Sequence, residues 1–200
     1  MTTMARFVHA WIQFFVLLTP FFGLSMFVLY TADQEAGRKQ SLAAKVTLAV
    51  LVVCLLLFFL GNPLFELIGI TIDSFRVGAG ILLFLSAVAL VRGNERPNSD
   101  DEDVAVVPLA IPILVGPATT GAILISGAEP ATASQQIATL LALVAAIACI
   151  GAILLASDFI ERVIKARGIA ILSKLTGLVL SAMASQMVFD GARHLLRGGK

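Results

Sequence analysis

The sequence predicts an all-α fold, a polytopic membrane bundle of six transmembrane helices, and three observations carry that expectation. The first is composition. Of the 200 residues 58% are hydrophobic and 14% charged, with a mean hydropathy of +0.97, well beyond what keeps a domain of this size dissolved in water. The second is run length: segments of roughly 20 apolar residues, enough to cross a hydrocarbon core of about 30 Å as helix, follow one another along the chain. The third is the lack of strand patterning, because Leu48–Leu60 is continuously apolar whereas a membrane barrel strand alternates apolar and polar residues.

The spans read, in order, at 7–30, 42–60, 68–91, 104–127, 136–156 and 169–190. Span one is too long for the apolar region of a secretory leader and no A-x-A-like site follows it, so it is expected to stay in the mature protein. Between spans two and three, Asn62-Pro63 reads as a turn with Glu66 a surface residue beside it. Arg92–Asp103, with its run Asn98-Ser99-Asp100-Asp101-Glu102-Asp103, is the stretch composed like a flexible loop. Cys54 and Cys149 fall mid-span as small packing residues, and two isolated thiols make neither a disulfide framework nor a metal site. A net charge of +1 with no basic, aromatic-interleaved patch excludes nucleic acid as a partner.

The connections divide by charge. Those after spans one, three and five carry Arg38, Lys39 and Lys45, then Arg92 and Arg96, then Arg162, Lys165, Arg167 and Lys174; those after spans two and four carry no Lys or Arg. The positive-inside rule places the first set in the cytoplasm and both termini on the periplasmic or extracellular side, despite Arg193, Arg197 and Lys200 in the tail.

Half a chain apart, features recur. Pro20 in span one and Pro117 in span four are 97 positions apart, and Arg76 and Lys174, each followed by a glycine-containing segment, are separated by nearly the same interval. One membrane domain covering 1–200 is therefore expected, with repeat one at about 7–91, a cytoplasmic hinge loop at about 92–103 and repeat two at about 104–190. Three spans per repeat is an odd number, so the second repeat must be inverted relative to the first. Inverted repeats with a ligand site near the midplane are a transporter architecture.

Proline locates the candidate site. Pro20 near the middle of span one frees the carbonyl of Val16, and Pro108, Pro112 and Pro117, with Gly116, make span four unlike one regular helix. Interrupted backbone persists in a membrane only where it lines a cavity or is buried in protein, so both breaks should face the bundle interior. Thr19-Pro20 reads as a helix cap followed by proline at the first helical position, and Gly116-Pro117 has the same form. Two half-helices would then start near the midplane, their free N–H groups on Phe21–Gly23 and Ala118–Thr120 facing an anionic group such as a carboxylate. The candidate substrate-binding residues are Thr19, Pro20, Gly23, Gly116, Pro117, Thr119 and Thr120, joined by Gln186 from span six. Ser25 and Ser126 add hydroxyls on the same elements, which can equally serve only in helix packing.

Charges within a membrane are costly and point to function, so Asp73, Arg76, Lys174 and Asp190 are candidates for coupling or gating. Asp73 and Arg76 stand three apart on one helical face and can neutralise each other; Gln186 and Asp190 stand four apart, Gln186 the deeper.

Three stretches carry a resemblance to a known family. Phe75-Arg76-Val77-Gly78-Ala79-Gly80-Ile81-Leu82-Leu83-Phe84-Leu85 resembles the third-helix motif of the MarC family of bacterial inner-membrane proteins. Val107-Pro108-Leu109-Ala110-Ile111-Pro112-Ile113-Leu114-Val115-Gly116-Pro117-Ala118 resembles its fourth-helix motif, and Gly177-Leu178-Val179-Leu180-Ser181-Ala182-Met183-Ala184-Ser185-Gln186-Met187 its sixth. In span one the family's Asn-Pro-Leu-Gly stretch is replaced by Thr19-Pro20-Phe21-Phe22-Gly23-Leu24-Ser25. The resemblance implies a six-helix inner-membrane protein, some of whose relatives look like small neutral amino-acid transporters, similar in plan to exporters of the lysine-exporter type.

The expected function is secondary transport of a small solute, a neutral amino acid first among them. The expected partners are the lipid bilayer and that solute; coupling to a proton, to sodium or to neither stays open, as does assembly into a homo-oligomer. No cofactor is expected, and no nucleotide-binding P-loop is present. A membrane-embedded enzyme is disfavoured, since His9 and His194 lie near the termini and no HExxH occurs. The alternative is a non-transporting regulatory or interaction subunit.

Overall fold

The computed structural model describes residues 3–31, 34–92, 110 and 114–197, and all regular structure among them is helical. Among the described residues five stretches are long and apolar enough to cross a membrane: Thr3–Tyr30, Ala36–Gly61, Ile72–Arg92, Ala133–Leu155 and Arg167–Leu196. The span expected at 104–127 is represented by a shorter helix from Pro117; residues 104–109 and 111–113, and the expected hinge loop beyond Arg92, lie outside the described residues.

The first membrane stretch is two helices, α1 (Thr3–Leu17) and α2 (Pro20–Tyr30). Helix α3 (Ala36–Ile68) has 33 residues, about 50 Å at 1.5 Å per residue, and so projects beyond the hydrocarbon core. It runs through Pro63, so the turn expected at Asn62-Pro63 is helix; the chain turns instead at Gly69, whose φ of 71° is the left-handed cap that glycine adopts without strain. The N–H groups of Gly69 and Ile70 both donate to the Phe65 carbonyl, at 3.0 and 3.2 Å.

Helix α4 (Ile72–Arg92) is capped by Thr71, whose hydroxyl accepts from the Ser74 N–H at 3.2 Å. Helix α5 (Pro117–Ala128) is followed by α6 (Ala133–Leu155), which opens with the Gln135 side chain accepting from the Thr132 N–H at 3.1 Å. Helix α7 (Ser157–Leu196) is interrupted at Lys165, where the backbone turns to φ 60°, ψ 159°. The residues before it form a short separate segment with Phe159 and Val163 exposed, and those from Arg167 form the membrane stretch.

Polar ties define the two ends of the bundle. At one, Lys39 Nζ bonds Asp158 Oδ1 at 3.0 Å, joining the starts of α3 and α7 in the company of Arg38, Arg162 and Arg167. At the other, Arg6 Nε donates to Thr139 Oγ1 at 3.2 Å, joining α1 to α6, and Arg76 pairs with Glu129, joining α4 to the end of α5.

Between the ends, α4 packs along α7, α1 against α6, α3 against α5 and α6, α5 against α4 and α2 against α7. Lipid is as apolar as the helix faces, so close packing of small residues replaces the hydrophobic effect as the source of helix–helix adhesion. The α4–α7 crossing illustrates this. A Cβ on Gly80 would lie 3.0 Å from the Ala184 carbonyl oxygen and 2.8 Å from Val188 Cγ2; a Cβ on Gly177 would lie 3.1 Å from the Ala87 carbonyl oxygen and 2.9 Å from Val91 Cγ2.

Candidate functional site: a helix-break junction below a charged cleft

The break in the first membrane stretch lies at Leu18-Thr19. Pro20 has no N–H to donate and fixes the first φ of α2, while Thr19 takes the left-handed conformation, φ 47° and ψ 59°. That conformation costs a non-glycine residue about 1–2 kcal/mol. The Thr19 side chain makes no capping hydrogen bond, so its expected role as a side-chain cap is not what starts α2. The Val16 carbonyl, expected to be freed, accepts from the Thr19 N–H at 3.0 Å. The carbonyl needing an outside partner is Leu17, and the buried Thr119 hydroxyl of α5 donates to it at 3.0 Å.

That bond places the second break against the first. Gly116 is extended, with φ −77° and ψ 173°, and Pro117 opens α5. Before it, the Val115 N–H reaches back five residues to the Ala110 carbonyl at 2.9 Å, a wider turn than an α-helix makes. The first N–H beyond each proline turn closes in the same way: Gly23 donates to the Thr19 carbonyl and Thr120 to the Gly116 carbonyl, both at 2.9 Å. Leu114 packs against Gly23 so closely that a Cβ there would sit 2.5 Å from Leu114 Cδ2. Leu18, Leu24, Leu114 and Ile123 are almost wholly buried, so the junction is tightly packed.

Toward the Arg6 end, a cleft of about 750 Å³ opens between α1, α5, α6 and α7. Its deeper wall includes Phe14, Val16 and Ala122, and its polar lining includes Gln13, Ser126, Gln186 and Asp190. Near its mouth Arg76, only 15% exposed, pairs with Glu129 and lies 3.5 Å from Asp73, and His194 Nδ1 lies 3.4 Å from the same Asp73 oxygen. These contacts fasten α4 to α5 and α7. Asp73 in the first turn of α4 is favoured by the helix dipole, whereas Glu129, the residue closing α5, opposes it and is compensated by Arg76.

The sequence-derived candidates therefore separate into two groups. Thr19, Pro20, Gly23, Gly116, Thr119 and Thr120 meet at the junction, buried or half-buried and outside the lining of the cleft, and Pro117 opens α5 beside them. Gln186, Asp190 and Arg76 line the cleft, and Asp73 joins them through Arg76; Lys174 is exposed on α7 away from it. Among the described residues no group of three or more His, Cys, Asp or Glu side chains is placed to hold a metal ion.

A family model for MarC family integral membrane proteins matches residues 4–196, nearly the whole chain. The chain belongs to the MarC family. It is 28% identical to a UPF0056 membrane protein of Methanocaldococcus jannaschii, over 95% of this chain and 97% of the relative, and 30% identical to a UPF0056 membrane protein of Aquifex aeolicus, over 96% and 94%. It is 28% identical to the UPF0056 inner membrane protein YhgN of Escherichia coli, over 98% of this chain and the full length of that protein. No solved structure matches. Membership and the apolar helices together make this a multi-pass integral membrane protein.

Within this MarC protein, sequence reasoning missed Arg6, Gln13, Glu129 and Thr139 as cleft residues, and did not join His194 to Asp73. Two had a readable signal. Glu129 closes a helix at the end where a carboxylate is unfavourable, which calls for a nearby cation. Arg6 borders an apolar span, where an arginine is costly unless something receives it.

Proposed function

We propose that this MarC protein is a secondary transporter that moves a small solute, in the first instance a neutral amino acid, along a path between two inverted three-helix repeats. The observation that carries the reading is the pairing of contacts at the α4–α7 crossing. Gly80 meets Ala184 and Val188, and Gly177 meets Ala87 and Val91; each residue of one set is 97 positions from its counterpart in the other. Leu83 and Leu180, related by the same interval, are both 2% exposed. Such correspondence is what a two-fold axis in the membrane plane produces.

The helix packing supports the same symmetry. Exchanging halves turns α2 against α7 into α5 against α4, and α3 against α5 into α6 against α2, and all four pairs are in contact. Related helices also run oppositely: α4 starts at the Arg76–Glu129 end, and the membrane part of α7 starts at the Lys39–Asp158 end.

The cationic end is cytoplasmic by the positive-inside rule, which opens the cleft and both termini to the periplasm. The solute enters the cleft and rests above the junction, where buried leucines close the path. Thr19 and Gly116, the non-helical points of the two proline breaks, are the hinges about which the half-helices tilt to open the other side.

Purified protein in liposomes, supplied with labelled small neutral amino acids, tests this. Saturable uptake that falls in Pro20→Ala and Pro117→Ala is expected. No flux of any small solute would favour a regulatory or interaction subunit instead.

A further inference from the structure

Part of the charge in the cleft is met internally. Arg76 pairs with Glu129 and lies 3.5 Å from Asp73, which His194 also faces. Two lining residues stand apart from that network. Among the described residues Arg6 makes one polar contact, from Nε to Thr139 Oγ1, and pairs with no carboxylate; Asp190 has neither an ion pair nor a hydrogen bond. The Thr139 hydroxyl donates to the Gln135 carbonyl at 3.0 Å and so meets Arg6 as an acceptor, orienting the guanidinium while leaving its terminal N–H groups open.

Arg6 is half-buried and Asp190 exposed at the lining of the same cleft, and two unpaired charges of opposite sign there match an occupant that carries both complements. We infer that Arg6 and Asp190 are the two ends of a zwitterion site, Arg6 receiving the α-carboxylate and Asp190 the α-ammonium of an amino acid in the cleft. This rests on the transporter reading above and assigns the two residues that receive the charged groups of its substrate.

The chemistry suits each part. The guanidinium fork matches a carboxylate with two parallel hydrogen bonds, and a carboxylate accepts from an ammonium in a charge-assisted bond. The Gln13 and Gln186 amides add neutral hydrogen-bonding capacity without changing the charge balance. Ile12, Val16, Val179, Met183 and Met187 form the apolar lining, and methionines adapt to side chains of differing shape. The pair has no net charge, so a free amine or a simple carboxylate would leave one member unanswered.

Competition against uptake of the best-transported labelled neutral amino acid in proteoliposomes provides the test, with alanine, alaninamide and propionate as competitors. Alaninamide lacks the carboxylate and propionate the ammonium. In the unmodified protein alanine should compete about tenfold or more better than either analogue, the discrimination expected of one charge-assisted hydrogen bond. Arg6→Gln should lose the preference of alanine over alaninamide, and Asp190→Asn the preference over propionate, with Arg6→Lys partly restoring the first. Equal competition by alanine and alaninamide in the unmodified protein would overturn the assignment without any substitution. Uptake with full zwitterion preference in both variants would overturn it while leaving transport standing, whereas no uptake in the unmodified protein would remove both readings.

Discussion

Replacing the two crossing glycines tests whether the halves are equivalent. In Gly80→Leu and Gly177→Leu the new Cβ meets a backbone carbonyl oxygen at 3.0 and 3.1 Å, and a valine methyl at 2.8 and 2.9 Å. Neither the oxygen nor the helix behind it can rotate aside, so α4 and α7 must separate along their main contact. Overpacking of a well-fitted interface costs about 1–3 kcal/mol, and four added carbons against backbone belong at the upper end. Helix propensity works the other way, favouring leucine over glycine by nearly 1 kcal/mol. The net loss should be about 2 kcal/mol at each position, a factor of about 30 in the folding equilibrium. Gly78→Leu, on the same helix with nothing within 4 Å of its Cβ, keeps only the propensity gain and should be neutral or stabilising. Unfolding titrated with a denaturing detergent in mixed micelles measures all three. Unchanged stability in Gly80→Leu would refute the packing estimate, and a large difference between Gly80→Leu and Gly177→Leu would refute the two-fold equivalence.

Three further outcomes follow from named contacts. Thr119→Val, nearly isosteric, leaves the Leu17 carbonyl without its 3.0 Å partner and should cost about 1–2 kcal/mol in the same unfolding assay. Thr19→Gly removes the left-handed strain at φ 47° and should stabilise the break by roughly 1 kcal/mol, offset in part by the greater freedom of glycine when unfolded. Lys39→Ala breaks the partly exposed bridge to Asp158; a loss below about 1 kcal/mol that shrinks in high salt is expected, and a larger, salt-insensitive loss would show that the bridge is more than a surface pair.

Much of the fold was legible because lipid imposes local rules. Run length located the apolar helices, and Pro20 and Gly116-Pro117 marked both interruptions, since a missing N–H acts wherever it occurs. The local rule misled at Asn62-Pro63, where α3 continues to Gly69 because the backbone remains helical through proline and the left-handed glycine provides the stop. It also chose the wrong carbonyl: Val16 is satisfied by Thr19, while Leu17 depends on Thr119, 102 positions away. No local pattern reveals a bond across that distance. The cleft was legible only through Gln186, Asp190, Arg76 and Ser126, because most of its other polar residues sit at span ends, where a solvated surface is the ordinary reading, and only tertiary packing brings Arg6, Thr139 and Glu129 to one opening. The proposed repeat rests in the sequence on the spacing of Pro20 and Pro117, and the matched contacts of Gly80 and Gly177 that support it needed coordinates.

Solvent access to the cleft tests the transport path most directly. A single cysteine at Gln186, with Cys54 and Cys149 replaced by alanine, can be labelled with a membrane-impermeant maleimide in vesicles of known orientation. The expected result is labelling from the periplasmic face that slows when a transported neutral amino acid is added. Labelling confined to the cytoplasmic face, or indifferent to every amino acid that the protein transports, would contradict a periplasmic cleft that binds its solute between two inverted halves.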